Sequence, residues 1–391
     1  MREGWEYKKL GEICSSELGK TLNKSKDKGV LHPYICAINI LWDKIDLTTL
    51  KETSFTEDEI ERYTVKYGDL LVCEGGDTGR AAIWDRKESI LYQNALHRLR
   101  FSEGVDARFV LYNLWYKKRI GEIDHKYSKG VTILHLVKSA LLSIPILIPP
   151  KSTQLAIVSE LDKINELIRL KKKQLKDFDN LAQSIFYEMF GDPVENDKGW
   201  EMKKISDMAI VKTGPFGSML HKEDYITNGI PLVNPIHMKN FKIVPDMEFT
   251  ITKEKACELQ NYMLQNKDIV FARRGDIGRC AIVSDKTGKE YLCGTGSLFV
   301  RFIDSIASVF IMYIVRSQSF SKHLISKAKG ATMLNINSST IANLSIPLPP
   351  LPLQHLFAHR IEQIEHQKAE VQKAITDLET LLASRMQYWF E

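Results

Sequence analysis

The sequence predicts an α+β protein in which two similar globular domains alternate with two long helices that pair as an antiparallel coiled coil. Three observations support this architecture. The two halves of the chain of 391 residues repeat one another, the segments 154–190 and 354–390 carry a heptad pattern, and short strand-like and helix-like runs precede each of these segments. The repeat makes the predicted fold pseudo-twofold.

Matching stretches in the two halves establish the internal repeat. Trp5-Glu-Tyr-Lys-Lys-Leu10 returns as Trp200-Glu-Met-Lys-Lys-Ile205, and segment 68–83 returns as 267–282 with a shared Gly-Asp-x-Gly-Arg core. Smaller matches are Lys129-Gly-Val-Thr132 with Lys329-Gly-Ala-Thr332, and Pro149-Pro150 with Pro349-Pro350. Self-similarity at a fixed period indicates duplicated structural units, here in the order domain, helix, domain, helix.

Apolar residues recur at alternating spacings of four and three in both long segments, which is typical of a coiled-coil seam. Lys171 interrupts the first seam, and Lys368 and Arg385 interrupt the second. The first seam consists of Ile157, Leu161, Ile164, Ile168, Leu175, Phe178, Ala182, Ile185 and Met189. The second seam consists of Phe357, Ile361, Ile364, Val371, Ile375, Leu378, Leu382 and Trp389.

Chain connectivity predicts the direction of the two helices. Each helix is about 55 Å long, whereas a domain of this size is about 30 to 35 Å across and has its termini close together. Because the second domain joins the end of the first helix to the start of the second, these two ends must lie near each other. We therefore predict an antiparallel pair within one chain, with a domain at each end of the rod. Pairing between chains and packing of the helices on the domains are the alternatives.

Proline pairs and Gly191-Asp192-Pro193 mark the expected segment boundaries. The predicted segments are a first domain at 1–150, a first spacer helix at 151–192, a second domain at 193–350 and a second spacer helix at 351–391. Within the domains, strands are expected at 69–73, 81–84 and 141–148, and helices at 108–116 and 306–316.

Composition limits the function. A 44% hydrophobic content predicts folded cores, and a formal net charge of +5 permits a nucleic-acid partner only through local basic patches. The six cysteines form no Cys-x-x-Cys pair, so we expect inert, reduced thiols and no structural metal. No stretch reaches the length of a membrane span, so we expect a cytoplasmic protein.

Segments that suggest catalysis are incomplete. The phosphate-loop-like end at Gly19-Lys20-Thr21 has Cys14 where the first glycine belongs. Asn234-Pro235-Ile236-His237 lacks the second proline and aromatic residue of a methyltransferase signature, and Asp246 with Glu248 lacks the rest of a nuclease core. The sequence therefore predicts no catalytic site, and the Asn-Pro segment is expected to be a turn.

Polar and basic loops are the remaining candidates for function. Residues 19–26 and 212–222 are rich in lysine, glycine and hydroxyl groups, which suit phosphate contacts. A solvated surface loop is the alternative. Gly214 and Gly217 would let the backbone come close to a partner. Phe216 between them is expected to be a buried loop anchor, with an exposed contact residue as the alternative.

Two matching turns differ sharply in charge. Gly79 and Gly278 are expected to supply positive φ in strand-turn-strand connections. The first turn is preceded by Glu74, whereas the second is preceded by Arg273 and Arg274. Because arginine can bind guanine and glutamate can accept from cytosine, this difference is what readers of two different DNA sequences would show.

These features together resemble the DNA sequence-specificity subunit of type I restriction-modification systems over essentially the whole chain. The motifs that carry the resemblance are the two Trp-Glu-x-Lys-Lys starts, Glu74-Gly-Gly-Asp-Thr-Gly-Arg80, Arg273-Arg-Gly-Asp-Ile-Gly-Arg279, Thr213-Gly-Pro-Phe-Gly217, the proline pairs and Met189-Phe-Gly-Asp-Pro193. The resemblance implies two target-recognition domains, each reading one half of a split asymmetric DNA site, and a helical spacer that sets the gap between the halves.

The resemblance also implies partners and a non-catalytic role. Two modification subunits would bring S-adenosylmethionine and methylate adenine, and restriction subunits would use ATP and Mg²⁺ to translocate and cut. This chain would itself hold no cofactor and no metal. A stand-alone DNA methyltransferase or nuclease and a dimerising DNA-binding regulator are the alternatives.

The residues predicted to contact DNA come from the loops and turns described above. They are Lys20, Thr21, Asn23, Lys24, Lys26, Glu74, Arg80, Lys129, Lys212, Thr213, Ser218, Lys222, Arg273, Arg274, Arg279 and Lys329.

Overall fold

The structure, a computed structural model, describes residues 4–22, 29–130, 134–284, 288, 290–303, 306–328 and 335–391. The chain divides into two compact units, residues 1–173 with 372–391 and residues 174–371. The division crosses both long helices, so each unit contains one globular domain and a section of each helix.

The first unit is built from short strands and helices together with a section of each long helix. Its strands are β1 (Glu6–Lys9), β2 (Cys14–Leu18), β3 (Val30–Ile35), β4 (Ile40–Leu41), β5 (Lys44–Ile45), β6 (Lys51–Phe55), β7 (Thr64–Val65), β8 (Leu70–Cys73), β9 (Ala81–Ile83), β10 (Ile90–Tyr92), β11 (Leu96–Phe101) and β12 (Pro145–Ile148). Its helices are α1 (Leu10–Ile13), α2 (Glu57–Arg62), α3 (Ala107–Arg119), α4 (Lys138–Ser143), the first part of α5 (Lys151–Phe190) and the last part of α10 (Leu351–Phe390).

The strands of the first unit pair mainly as two sheets. One sheet has the order β2-β11-β8-β9, and the other has the order β6-β3-β10-β7 with β3 parallel to β10. β1 pairs with β12. β8 is a continuous apolar run, Leu-Leu-Val-Cys, and all of its side chains are buried because it lies inside its sheet. Buried residues from both sheets, including Ile35, Leu71 and Tyr92, form the core.

The second unit repeats this plan. Its strands are β13 (Met202–Lys204), β14 (Ala209–Thr213), β15 (Tyr225–Ile226), β16 (Ile230–Val233), β17 (Met238–Lys239), β18 (Phe241–Ile243), β19 (Thr250–Ile251), β20 (Ile269–Ala272), β21 (Cys280–Ile282), β22 (Leu292–Cys293), β23 (Ser297–Phe302) and β24 (Ser345–Pro347). Its helices are α6 (Lys253–Glu258), α7 (Ser308–Arg316), α8 (Gln318–Lys327), α9 (Ser338–Ala342), the end of α5 and the first half of α10.

Strand pairing confirms the internal repeat. The run β14-β23-β20-β21 corresponds to β2-β11-β8-β9, and the parallel pair β16 and β22 corresponds to β3 and β10. The pair β13 and β24 corresponds to β1 and β12. In the second unit, β18 and β17 extend the β14-β23-β20-β21 sheet beyond β21. The corresponding sheet of the first unit ends at β9.

A buried glutamine at the start of each long helix repeats the same contacts. Gln154 Nε2 donates to the Pro149 carbonyl at 2.9 Å, and Gln154 Oε1 accepts from the Asp106 backbone N–H at 2.8 Å. Gln354 makes the equivalent bonds to the Pro349 carbonyl and the Ala307 N–H, at 2.8 and 3.1 Å. Both glutamines are almost fully buried, so each side chain satisfies backbone groups that water does not reach.

The long helices pair antiparallel within each unit, as predicted. In the first unit Lys172 bonds Glu379 at 2.7 Å, and Arg385 Nη2 donates to Glu160 at 3.1 Å. In the second unit Lys368 bonds Asp179 at 2.8 Å, and the rings of Phe190 and Phe357 lie 5.3 Å apart. In both units the residue number rises along one helix as it falls along the other.

The predicted seam is correct over most of each helix and shifts by one residue near the ends. Ile157, Leu161, Ile164 and Ile168 are buried, as predicted. Near the C-terminal ends, the most buried residues are Phe186, Phe190, Met386 and Phe390, whereas Ile185, Met189 and Trp389 are only partly buried. The aromatic residues turn toward the globular domains, where Phe186 stacks with Tyr313 and Phe390 packs edge-on against Phe109.

Most predicted short elements are confirmed. Helices α3 and α7 match the predicted ones closely, and α3 begins where the Asp106 side chain accepts from the first free N–H groups. The single strand predicted at 141–148 is wrong in its first half, because residues Lys138–Ser143 form α4 and only Pro145–Ile148 form a strand. In the described part of the chain, no helix is both long and apolar enough to cross a membrane.

All six cysteines are free. Burial raises the pKa of the Cys73 thiol to about 11 and that of Cys280 to about 12. These thiols therefore stay protonated and unreactive at neutral pH, as expected.

Candidate nucleic-acid interface

Loops of the second unit converge at one edge of its sheets, where β14, β16, β20 and β22 end and β23 begins. Backbone hydrogen bonds tie these loops together: Gly214 N–H to Ser297 O, Gly294 N–H to Val233 O and Arg273 N–H to Gly296 O, each 3.0 Å long. The second loop cluster consists of residues 213–217, 234–237, 273–279, 294–296 and 335–336. It brings together the turn, the basic pair and the glycine loop singled out in the sequence.

The first unit contains an equivalent first loop cluster, residues 19–21, 36–39, 74–80, 93–95 and 135–136. Its bonds repeat those of the second: Gly19 N–H to Leu96 O at 2.9 Å, Gln93 N–H to Ile35 O at 3.0 Å and Glu74 N–H to Ala95 O at 2.9 Å. Each loop cluster is therefore assembled on the same backbone scaffold.

Glu74 and Arg273 occupy the same place on this scaffold. Besides the bonds above, the carbonyl of Glu74 accepts from Leu136 N–H at 2.7 Å, and the carbonyl of Arg273 accepts from Ile336 N–H at 2.9 Å. The neighbouring Gly75 and Arg274 also correspond, because they form isolated β-bridges with His135 and Asn335. Opposite charges thus stand at matching positions.

Both side chains are partly withdrawn from water. Burial raises the pKa of the Glu74 carboxyl, and nearby His135 partly offsets this rise. Burial lowers the pKa of the Arg273 guanidinium, and the Arg274 charge lowers it further. Arg273 Nε is buried and has no hydrogen-bond partner among the described residues. These conditions favour a partner that bonds the side chain directly, because an unpaired buried donor is costly.

Arg80 and Arg279 hold the two turns in place. Arg80 Nη2 donates to the Ala37 carbonyl at 2.9 Å, and Arg279 Nη1 donates to the Pro235 carbonyl at 3.2 Å. Arg279 also pairs with Asp276 at 2.7 Å. Both arginines therefore link the hairpin turn to a neighbouring turn of the same cluster, and a DNA contact by either residue stays a prediction.

The structure corrects the expectation for Lys20. This lysine is 3% exposed, and its ammonium group donates to the Ser54 carbonyl and to Glu59, both at 2.7 Å. It also lies 4.9 Å from the centre of the Phe55 ring. An amine that is buried and bonded inside the domain supports the loop and does not reach a phosphate.

The other predicted contact residues lie in several environments, and their DNA contacts stay predictions. Thr21, Lys129, Lys222 and Arg274 are exposed, and Thr213 is half-buried at the end of β14. Lys212 is half-buried, with its ammonium group 5.3 Å from the centre of the Tyr262 ring. Asn23, Lys24, Lys26 and Lys329 lie outside the described residues, as does the side chain of Ser218.

Two predictions about the glycine loop of the second unit need correction. Phe216 is 59% exposed and is not the buried anchor predicted from the sequence. At Gly214, an added Cβ would lie 2.1 Å from the Gly294 carbonyl oxygen. The glycine therefore makes room for the backbone at Gly294 and not, as was predicted, for the approach of a partner. The positive φ predicted at Gly79 and Gly278 is confirmed, with values of 80° and 101°.

The sequence reasoning missed a pair of exposed isoleucines. Ile38 is 58% exposed and Ile236 is 60% exposed, each in a single 3₁₀ turn of its loop cluster. A matching pattern was available in the sequence, because Pro33-Tyr-Ile-Cys-Ala-Ile38 aligns with Pro231-Leu-Val-Asn-Pro-Ile236.

The paired scaffolds with different charges fit the resemblance seen in the sequence, and comparison with known families decides it. A family model described as the type I restriction modification DNA specificity domain matches residues 2–177 and 197–380. The chain belongs to this family. Each matched segment of the type I specificity family contains one loop cluster and most of one long helix.

Curated relatives match almost the entire chain. The specificity subunit of the type I restriction enzyme MjaIX from Methanocaldococcus jannaschii is 24% identical over 96% of this chain and 90% of its own length. The MjaVIII specificity subunit from the same organism is 22% identical over 97% of this chain and 92% of its own length.

Solved structures share the fold. A chain from work on the complex assembly and conformational transition of a type I restriction-modification system superposes with a TM-score of 0.64 at 16% identity, covering 100% of this chain and 98% of that chain. The type I specificity subunit from M. genitalium superposes with a TM-score of 0.54 at 14% identity, covering 99% and 96%.

Proposed function

We propose that this chain reads a bipartite, asymmetric DNA site, with each loop cluster contacting one half. The observation that carries the proposal is the pair Glu74 and Arg273, which share one backbone position and carry opposite charges. A scaffold used twice with different reading groups suits a site whose halves differ in sequence.

The chemistry of the two clusters suits base recognition. Arginine donates two parallel hydrogen bonds to guanine O6 and N7, and glutamate accepts from cytosine N4. Arg274, which follows Arg273 directly in the sequence, is an exposed cation and suits a phosphate contact, as does the exposed Lys222. Phosphate contacts fix the position of the protein on the duplex, and the half-buried side chains choose the base.

The proposal extends to partners, on the basis of family membership. Two modification subunits bind this chain, carry S-adenosylmethionine and methylate adenine at the site that the chain selects. Restriction subunits join the same complex and use ATP and Mg²⁺ to translocate and cut. The chain itself is non-catalytic and holds none of these cofactors.

The decisive experiment is to express the chain with its modification subunit in a methylation-deficient host and to map methylated adenines by single-molecule sequencing. We expect one non-palindromic motif, in two parts separated by an unread gap of constant length. Exchanging the first loop cluster for that of a related protein should change one half of the motif and preserve the other. A continuous motif, or methylation that is independent of this chain, would contradict the proposal.

A second experiment tests the role of the helices as a spacer. Inserting one heptad into both α5 and α10 lengthens each by about 10 Å, or about three base pairs of B-DNA. The preferred gap should grow by that amount with both half-sites unchanged. If the preferred gap stays constant, the helices do not set it.

The rival functions have direct tests. The purified chain without partners should neither bind S-adenosylmethionine nor cut DNA, whereas a stand-alone methyltransferase or nuclease would do so. Co-purification with a modification subunit should occur, whereas a dimerising regulator would pair with a second copy of itself.

A further inference from the structure

Ile38 and Ile236 are large apolar side chains exposed in the middle of polar loop clusters. Single exposed isoleucines are common on protein surfaces and need no special explanation. These two differ from that case because they recur at one position of a duplicated scaffold, in surroundings whose other side chains have diverged. Cys36, Ala37 and Asn39 around the first correspond to Asn234, Pro235 and His237 around the second.

Each isoleucine is held by a buried polar side chain directly after it. Asn39 Oδ1 accepts from the Cys36 backbone N–H at 2.9 Å, and His237 Nδ1 accepts from the Asn234 N–H at 3.2 Å. Asn39 is 0% and His237 3% exposed. Two different residue types thus close the same turn and leave the isoleucine pointing away from the core.

Further bonds fix both turns to their surroundings. The Asn39 carbonyl accepts from Asp46 N–H, and the His237 carbonyl accepts from Val244 N–H, both at 2.8 Å. The arginine bonds from Arg80 and Arg279 reach the residue immediately before each isoleucine. Each isoleucine therefore lies on a hydrogen-bonded turn that is tied to the hairpin turn of the same loop cluster.

An apolar side chain at a base-reading position gains free energy only against apolar DNA surface. In the major groove that surface is the 5-methyl group of thymine. We propose that Ile38 and Ile236 are specificity-determining residues, each packing against a thymine methyl in its own half of the DNA site. This inference rests on the proposed function, because it assigns a target group to the same two loop clusters.

The test removes the thymine methyl without changing base pairing. In the complex of the full chain with its modification subunit, each thymine of the mapped target is replaced in turn by uracil, and binding is measured at one salt concentration. One thymine in each half-site should be sensitive, with affinity falling about fourfold, as expected for one buried methyl group. Ile236→Ala should remove this sensitivity in the second half-site only, and Ile38→Ala in the first half-site only.

Matched controls separate a base contact from a general effect of truncation. Ile210 is 62% exposed on β14 and Leu31 is 65% exposed on β3, and both lie outside the loop clusters. Ile210→Ala and Leu31→Ala should keep the difference between thymine and uracil. Unfolding midpoints of all four variants should match the wild type, because each removes an exposed side chain.

Three results would overturn the inference. Specific binding with an affinity that no uracil substitution changes would show that no thymine methyl is contacted. A uracil effect that is unchanged in both alanine variants would assign the methyl contact to other residues. Base unstacking, detected with 2-aminopurine and lost in the alanine variants without any uracil effect, would identify the isoleucines as wedges between bases. Absence of any sequence preference in the wild-type complex would instead reject the proposed function, and this inference with it.

Discussion

Arg273→Ala tests whether the second loop cluster reads bases. The backbone of Arg273 is fixed on both sides by bonds to Gly296 and Ile336, so the substitution removes the guanidinium and preserves the turn. A bidentate contact with guanine is worth about 1–3 kcal/mol, which corresponds to about 5- to 150-fold discrimination at one base pair. We expect the variant to lose this preference at one position of the second half-site.

The assay is methylation of a library in which both half-sites are randomised in turn, using the chain with its modification subunit. The wild type should strongly favour one base at the position that Arg273 reads, and the variant should accept several bases there with the first half-site unchanged. Equal loss of methylation on every sequence would mark Arg273 as a phosphate contact. Relaxation in the first half-site would refute the assignment of this cluster to the second.

Three further predictions concern Arg274, Glu74 and Gln354. Arg274→Ala should weaken binding equally on all sequences and lower the slope of log affinity against log salt by about 1, because this exposed cation suits a phosphate; a base-specific change would contradict that role. Burial raises the pKa of Glu74, so its carboxyl takes up a proton at higher pH than an ordinary glutamate. First-half-site preference, measured by competition binding, should therefore fall on acidification before an ordinary exposed glutamate would be protonated, and Glu74→Gln should abolish this dependence. Gln354→Ala should lower the free energy of unfolding by about 1–3 kcal/mol in urea titrations, because buried groups at Ala307 and Pro349 lose their partner, whereas the exposed Gln363→Ala should change it by less than about 0.5 kcal/mol.

Local periodicity and the internal repeat were enough to predict the two long helices and the matching of the two halves. Helices α5 and α10 follow from the heptad pattern, because residues three and four apart meet on one helix face in any tertiary setting. The correspondence of Glu74 with Arg273 follows from aligning the two halves, since a duplicated sequence folds into a duplicated scaffold.

Which loop side chains are exposed could be seen only in the tertiary structure. The Lys20 side chain is kept from solvent by hydrogen bonds to Ser54 and Glu59, which lie 34 and 39 residues further along the chain. No sequence pattern near Lys20 specifies these partners. Ile38 and Ile236 are apolar yet exposed, because the buried Asn39 and His237 close each turn from inside. Local spacing specifies the face of a helix, whereas a loop side chain takes its direction from contacts with segments distant in sequence, and those contacts exist only once the sheets have assembled.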